Sequence, residues 1–328
     1  MVYLTMQCIT VATSLRTAFC ITGQQVRLEL FSKIRYLFLP HQRAFGPDSL
    51  HVVMVLSNSS FLAKLDKSYG DMSDMRDTWP LMSPQESAAM LDSMQGLNLS
   101  VSLQYIDWNL HSVAMPDQRD QPPSLPHARR RSMSQWNTCL KTLRAHELSA
   151  GKHYDVVFKI REDSLFLHEV DIAKMHEHIN KLAPRKGMLA IGCRSWGGWN
   201  DNVFVLGRQA ADVFFDHVME DLYWTFASDR VHEPTNTERW VKEIQRKYHI
   251  PVKEVSICQL PFTVVRGIDR RQQLVIKSTY QGHFSDRTSG CYCEDQQLVE
   301  KQKLCVKCMK PFLSHVLKST ARVGDFLR

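Results

Sequence analysis

Tyr154 to Leu167 reads Y-D-V-V-F-K-I-R-E-D-S-L-F-L, and the fold turns on this stretch. Tyr154 to Ile160, rich in β-branched and aromatic residues and free of Gly and Pro, has the pattern of a central strand. Three charged residues, Arg161-Glu162-Asp163, follow at once. A charge where a buried strand emerges needs a partner, because an unpaired charge in the interior is costly. The residues alone leave two alternatives open. A carboxylate pair could hold Mg²⁺ or Mn²⁺ against a diphosphate, since hard cations take oxygen ligands. A structural Arg–Asp bridge could instead close the strand.

Upstream, Met133, Trp136, Leu140, Leu143 and Glu147 or Leu148 follow three/four spacing along a helix that ends near Gly151. Before it, Met115 to Pro126 holds four prolines and reads as a loop. At the start of the chain, R-T-A-F-C-I-T-G (Arg16–Gly23) is a strand closed by Gly. A helix follows it, with Val26, Leu30, Ile34 and Leu37 or Phe38 on one side and Pro40 as its expected stop. His51 to Leu56 is the next strand, which makes the opening unit β-α-β and implies a parallel pair. Ser83-Pro84-Gln85-Glu86 is a capping box that starts a helix running to Gly96, and Leu99 to Ile106 alternates into a third strand. Downstream, Met188–Gly192, Asn202–Leu206, Pro251–Ile257 and Leu260–Arg266 read as strands, and Thr237–Tyr248 as a helix. Alternating strands and helices over residues 16–266 predict a single α/β, Rossmann-like domain with a mostly parallel sheet.

The 328 residues are 44% hydrophobic and 23% charged, which excludes wholesale disorder and a fibrous repeat. The formal net charge is +7, and its location matters more than its size. Residues 300–328 hold seven basic and two acidic side chains, so +5 sits in the tail and +2 in residues 1–299. General polyanion binding, nucleic acid included, is therefore not expected of the body. No run reaches the ~20 apolar residues of a membrane-spanning helix. Four of nine cysteines crowd the end of the chain, as Cys291-Tyr292-Cys293 and Cys305-Val306-Lys307-Cys308. These could close a Zn²⁺ site or form two disulfides, the latter if the chain matures in the secretory pathway. The expected division is an N-terminal extension at 1–15, the α/β domain at 16–285 and a Cys-rich basic tail at 286–328. Asn58-Ser59-Ser60 and Asn98-Leu99-Ser100 are N-glycosylation triplets.

Ligands of open α/β sheets lie beyond the carboxyl ends of the strands. Two such ends are polar here. One is Thr22-Gly23-Gln24-Gln25-Val26-Arg27, where Gly permits close backbone approach and Arg27 could pair with phosphate; the other is Arg161-Glu162-Asp163. A third segment, Trp196-Gly197-Gly198-Trp199-Asn200-Asp201, combines flat aromatic faces with hydrogen-bonding groups suited to a sugar hydroxyl. A tight turn with both Trp residues packed as core is its other reading. Glu238 opens a helix, where the helix dipole alone favours an acid.

The Tyr154–Leu167 string resembles the strand-plus-R-x-D signature of nucleotide-sugar glycosyltransferases of GT-A type and their relatives. The resemblance extends to the opening strand T-A-F-C-I-T-G and to W-G-G-W-N-D-N-V-F-V-L-G-R (Trp196–Arg208), and covers roughly residues 16–266 as short motifs. It implies transfer of a sugar from a nucleoside-diphosphate donor to a hydroxyl of a glycan or protein acceptor. Asp163 would be the metal or diphosphate residue and Glu162 a second candidate ligand for Mn²⁺ or Mg²⁺. Thr22, Gly23, Arg27 and Arg161 would lie at the nucleotide and diphosphate, with Trp196, Gly197, Gly198, Trp199 and Asn200 at the acceptor. Asp201 would be the base, with Glu238 in reserve. Arg161 departs from a strict D-x-D and offers a cation in place of a carboxylate. The resemblance implies the Golgi lumen if an anchor precedes this sequence, and the cytoplasm otherwise. A non-catalytic, degenerate transferase domain that binds partners through its tail is the alternative.

Overall fold

The computed structural model describes residues 15–57, 84–106, 127–192, 197–227, 237–268 and 274–276. Trp196, Ser83, the 115–126 loop, the Asn58 triplet, the tail cysteines Cys291, Cys293, Cys305 and Cys308, and the expected boundary at 285/286 lie outside the described residues.

Seven strands form the main sheet: β1 (Thr17–Gln24), β2 (Leu50–Ser57), β3 (Ser100–Ile106), β4 (Val156–Arg161), β6 (Met188–Ala190), β7 (Val203–Gly207) and β8 (Val252–Glu254). Their order is β3-β2-β1-β4-β7-β6-β8. Only β7 runs against the rest, because its pairings with β4 and β6 are antiparallel and all others are parallel. A small antiparallel sheet, order β10-β9-β5, joins β5 (Ser164–Phe166), β9 (Phe262–Ile268) and β10 (Leu274–Ile276).

The helices are α1 (Phe31–Lys33), α2 (Leu39–Phe45), α3 (Pro84–Gly96), α4 (His127–Ala150), α5 (Ile172–Leu182), α6 (Arg208–Ala227) and α7 (Thr237–Lys247). They cover both faces of the sheet. Phe19, Ile21, Val52, Met54, Phe158 and Ile160 pack with Ile34, Leu37 and Phe38 of the first helical segment, Met94 of α3 and Ile172, Met175 and Ile179 of α5. The alternate residues Ala18, Cys20, Val53, Val55 and Val157 pack with Trp136 and Leu140 of α4, Phe214 and Phe215 of α6 and Trp240 of α7. β2 is covered on both sides and buried throughout, and its Val52–Leu56 run is apolar at every position, as such a strand requires. Cys20 of β1 and Cys139 of α4 are disulfide-bonded between sheet and helix.

Pro40 does not stop the first helix. A π segment, Ile34–Phe38, precedes α2 and lets the helix continue through Pro40 to Phe45. Proline lacks the N–H that would bond the carbonyl four residues back, and its ring crowds that carbonyl. The wider π turn frees it: the Tyr36 carbonyl accepts a hydrogen bond from Val170 N–H instead. The stretch from Val26 also differs from the expected helix, because Gln25–Arg27 forms a 3₁₀ turn and the helix begins at Phe31.

Candidate functional site

β1 is third in the strand order, with β2 on one side and β4 on the other. The chain runs from β1 to β2 and β3 on one side and then returns to β4 on the other, which makes the carboxyl ends of β1 and β4 the topological switch point, where open α/β sheets place their ligands. Register places Thr22 of β1 opposite Arg161 of β4 at that end. The following turn, Glu162-Asp163, is tied to β1 by Glu162 N–H donating to the Thr22 carbonyl at 3.1 Å.

Asp163 is fully buried. Arg161 Nε donates to its Oδ1 at 2.5 Å and Arg161 Nη2 to its Oδ2 at 3.1 Å, while Arg27 pairs with Oδ2 from the other side. Arg27 also faces Glu162 Oε1 at 3.4 Å. The two guanidiniums are balanced here by the Asp163 and Glu162 carboxylates, and both arginine side chains remain about a quarter exposed, 23% and 24%. Gly23, at φ +144°, has no side chain for a steric reason: a Cβ there would overlap the Glu162 carboxylate. Its carbonyl accepts from Gln135 Nε2 of α4 at 2.8 Å.

Two buried lysines brace this edge, and neither is singled out by the sequence reading. Lys33 Nζ donates to the carbonyls of Glu29, Glu162 (3.1 Å) and Ser164 (2.5 Å), joining the first helix to the turn that carries Asp163. Lys159 Nζ donates to the Asp201 carbonyl and lies over the rings of Trp136 (4.8 Å) and Phe204 (5.6 Å). Burial pushes both ammonium groups down to about 8, against the opposing pull of nearby carboxylates. Their signal was present in the sequence as charges inside apolar runs, K-I-R and F-S-K-I.

The reversed strand β7 begins where β4 ends, so the residues just before it reach the same edge. Asp201 Oδ1 stands 3.9 Å from Arg161 Nη1, and Arg161 N–H donates to the Asn202 carbonyl at 2.7 Å. Asn200 is buried, its N–H donating to the Ile191 carbonyl and its Oδ1 accepting from Asn202 N–H at 2.9 Å. Gly198 meets the backbone of Glu238, where a Cβ would overlap it, and Trp199 N–H donates to the Glu238 carbonyl at 3.0 Å. Glu238 therefore reaches the loop through its main chain. Gly197 is exposed, at φ +86°. The Trp199 ring is half-buried against α7, with Lys242 Nζ 5.4 Å above it and Gln245 accepting its indole N–H at 3.4 Å.

Thr22, Gly23, Arg27, Arg161, Glu162, Asp163 and Asp201 thus meet at one edge of the sheet, and the Gly197–Asn200 loop with Glu238 adjoins them. Among the described residues, no three His, Cys, Asp or Glu side chains converge in a group that could hold a metal ion.

A three-layer, Rossmann-like α/β domain with a charged cluster at its topological switch point is the class that this architecture defines. No protein-family model matches the chain, and no curated protein matches it. Among solved structures it is similar to mouse xyloside xylosyltransferase 1 in its apo form, at 10% identity and TM-score 0.38 over 74% of this chain and 85% of that one. It is also similar to the glycosyltransferase GlyE of Streptococcus pneumoniae TIGR4, at 11% identity and TM-score 0.37 over 74% of this chain and 46% of that one. Among the described residues no helix is long and apolar enough to cross a membrane.

Proposed function

We propose that this protein is a glycosyltransferase that moves a sugar from a nucleoside-diphosphate donor to an acceptor hydroxyl. One observation carries the reading: Arg27 and Arg161 converge on a buried Asp163 at the switch point, with the Asp201 carboxylate 3.9 Å from Arg161. An anion bound at the switch point meets the outer edges of two guanidiniums whose positions are held by Asp163. Bond formation from the acceptor oxygen to the anomeric carbon breaks the bond to the diphosphate, which departs with the electron pair. The arginines neutralise that developing charge, and the Asp201 carboxylate takes the proton from the acceptor hydroxyl. The Gly197–Asn200 loop would present the acceptor, as far as its described residues reach.

Mn²⁺ or Mg²⁺ fits the donor set poorly. Both oxygens of Asp163 face guanidinium groups, and Glu162 is directed at Gly23 and Arg27. Charge neutralisation at the diphosphate is therefore assigned to Arg27 and Arg161. Thermal shift of the full chain with UDP or GDP, each with and without Mn²⁺, tests the reading. A rise in melting temperature with at least one of them, lost in Arg161→Met, is expected. No response to either diphosphate under any of these conditions would overturn it.

A further inference from the structure

Among the described residues, Tyr105 and Leu148 are the large apolar side chains that stand exposed, and Tyr105 does so at the carboxyl edge of the sheet. Its register partner is Leu56, whose own partner on the other side is Gly23. Directly paired residues share a face of the sheet. One row therefore runs from the half-exposed Tyr105 ring, over apolar Leu56, to Gly23 with the Glu162 carboxylate against it and the arginine pair beyond. Two strand spacings separate Tyr105 from Gly23, about 10 Å. Tyr105 does not stand alone: its hydroxyl accepts from Gln25 Nε2 at 3.2 Å, in the turn that leads to Arg27.

We infer that Tyr105 is the stacking platform for the base of the nucleotide, with Gln25 beside it as a hydrogen-bonding group. The inference rests on the nucleoside-diphosphate reading and adds to it the place of the base. A nucleobase is flat and apolar on its faces and polar on its edges, and Tyr105 offers an open ring next to a polar group. A ribose spans the gap from that ring to the arginine pair. Burial holds the Tyr105 phenol above its ordinary value, so it stays a neutral hydroxyl. Its hydroxyl accepts from Gln25 and retains its own proton for donation.

Isothermal titration of the full chain with UDP, GDP and inorganic pyrophosphate is the test, comparing the native protein with Tyr105→Ala and Tyr105→Phe. Base–aromatic stacking predicts that Tyr105→Ala weakens the nucleotide by about 5- to 100-fold, leaves pyrophosphate unchanged, and that Tyr105→Phe retains most of the affinity. Equal nucleotide affinity in native protein and Tyr105→Ala would overturn the inference while the proposed function stood. Equal weakening of nucleotide and pyrophosphate would also overturn it, because the side chain would then act on the diphosphate end. A native protein that binds neither nucleotide would remove the proposed function and this inference together.

Discussion

Gly23 shows how a single position can be set by a neighbour distant in sequence. Its glycine is required by φ +144° and by the Glu162 carboxylate, which occupies the space of the missing side chain. Gly23→Ala should lower stability by about 2–5 kcal/mol, the sum of overpacking and backbone strain. Urea denaturation of Gly23→Ala, Glu162→Ala and the double variant measures this. The double variant should recover the overpacking part, and strictly additive losses would show that the two groups do not compete for one space. The close-approach role of Gly23 was legible from a strand ending in Gly before a polar turn. That the Glu162 carboxylate fills the space beside it was not legible, because 139 residues separate them in the chain and no local pattern encodes a contact at that distance.

At the scale of elements, the turn between β4 and β5 is held from behind by Lys33, whose ammonium caps carbonyls on both sides of Asp163. Lys33→Met would remove the ammonium donor from the buried Ser164 carbonyl and the cation from Glu29, while the Glu162 carbonyl would keep the Glu29 N–H. The expected loss is about 3–5 kcal/mol in urea denaturation, and an unchanged midpoint would mean that the turn holds itself. The strands of the main sheet were readable from β-branched runs, and α7 from its spacing. α6 carries the same spacing at Ala210, Ala211, Phe214, Phe215 and Val218, and it and α5 are the helices absent from the sequence reading. β5 and β10 have three residues each, too few for a period to register. Pro40 misled because its cost depends on a carbonyl, that of Tyr36, which only the tertiary structure shows to be taken by Val170.

For the whole molecule, the end of the sheet opposite the candidate site holds the buried His51 and Tyr154 with the half-buried His146, a cluster that bears on pH. His51 stacks on His146 at 3.7 Å, bonds Ser100 and Ser102, and adjoins Tyr154, whose hydroxyl meets His146. Burial first, then the neighbouring His146, pushes His51 down to about 3; burial also pushes His41 down to about 4. The unfolded chain takes up protons on these rings near their ordinary 6.5, whereas the folded chain does not until far lower pH. Their stabilisation is therefore complete above pH 6.5 and is lost progressively as pH falls toward 4. Melting temperature should drop between pH 7 and pH 4.5, and His51→Gln should flatten that drop; an identical slope in the variant would contradict the assignment. The same global view explains the candidate edge. Composition, periodicity and the strand-end charges determined by themselves that this is an α/β chain with polar carboxyl ends at Gly23 and Arg161, because those signals are local. Only the tertiary structure decided that these ends are adjacent, that a reversed β7 brings Asp201 to them, that two arginines share one buried carboxylate, and that Tyr105 lies on the same edge. Strand order and side-chain competition for space are properties of the packed sheet, and no segment carries them alone.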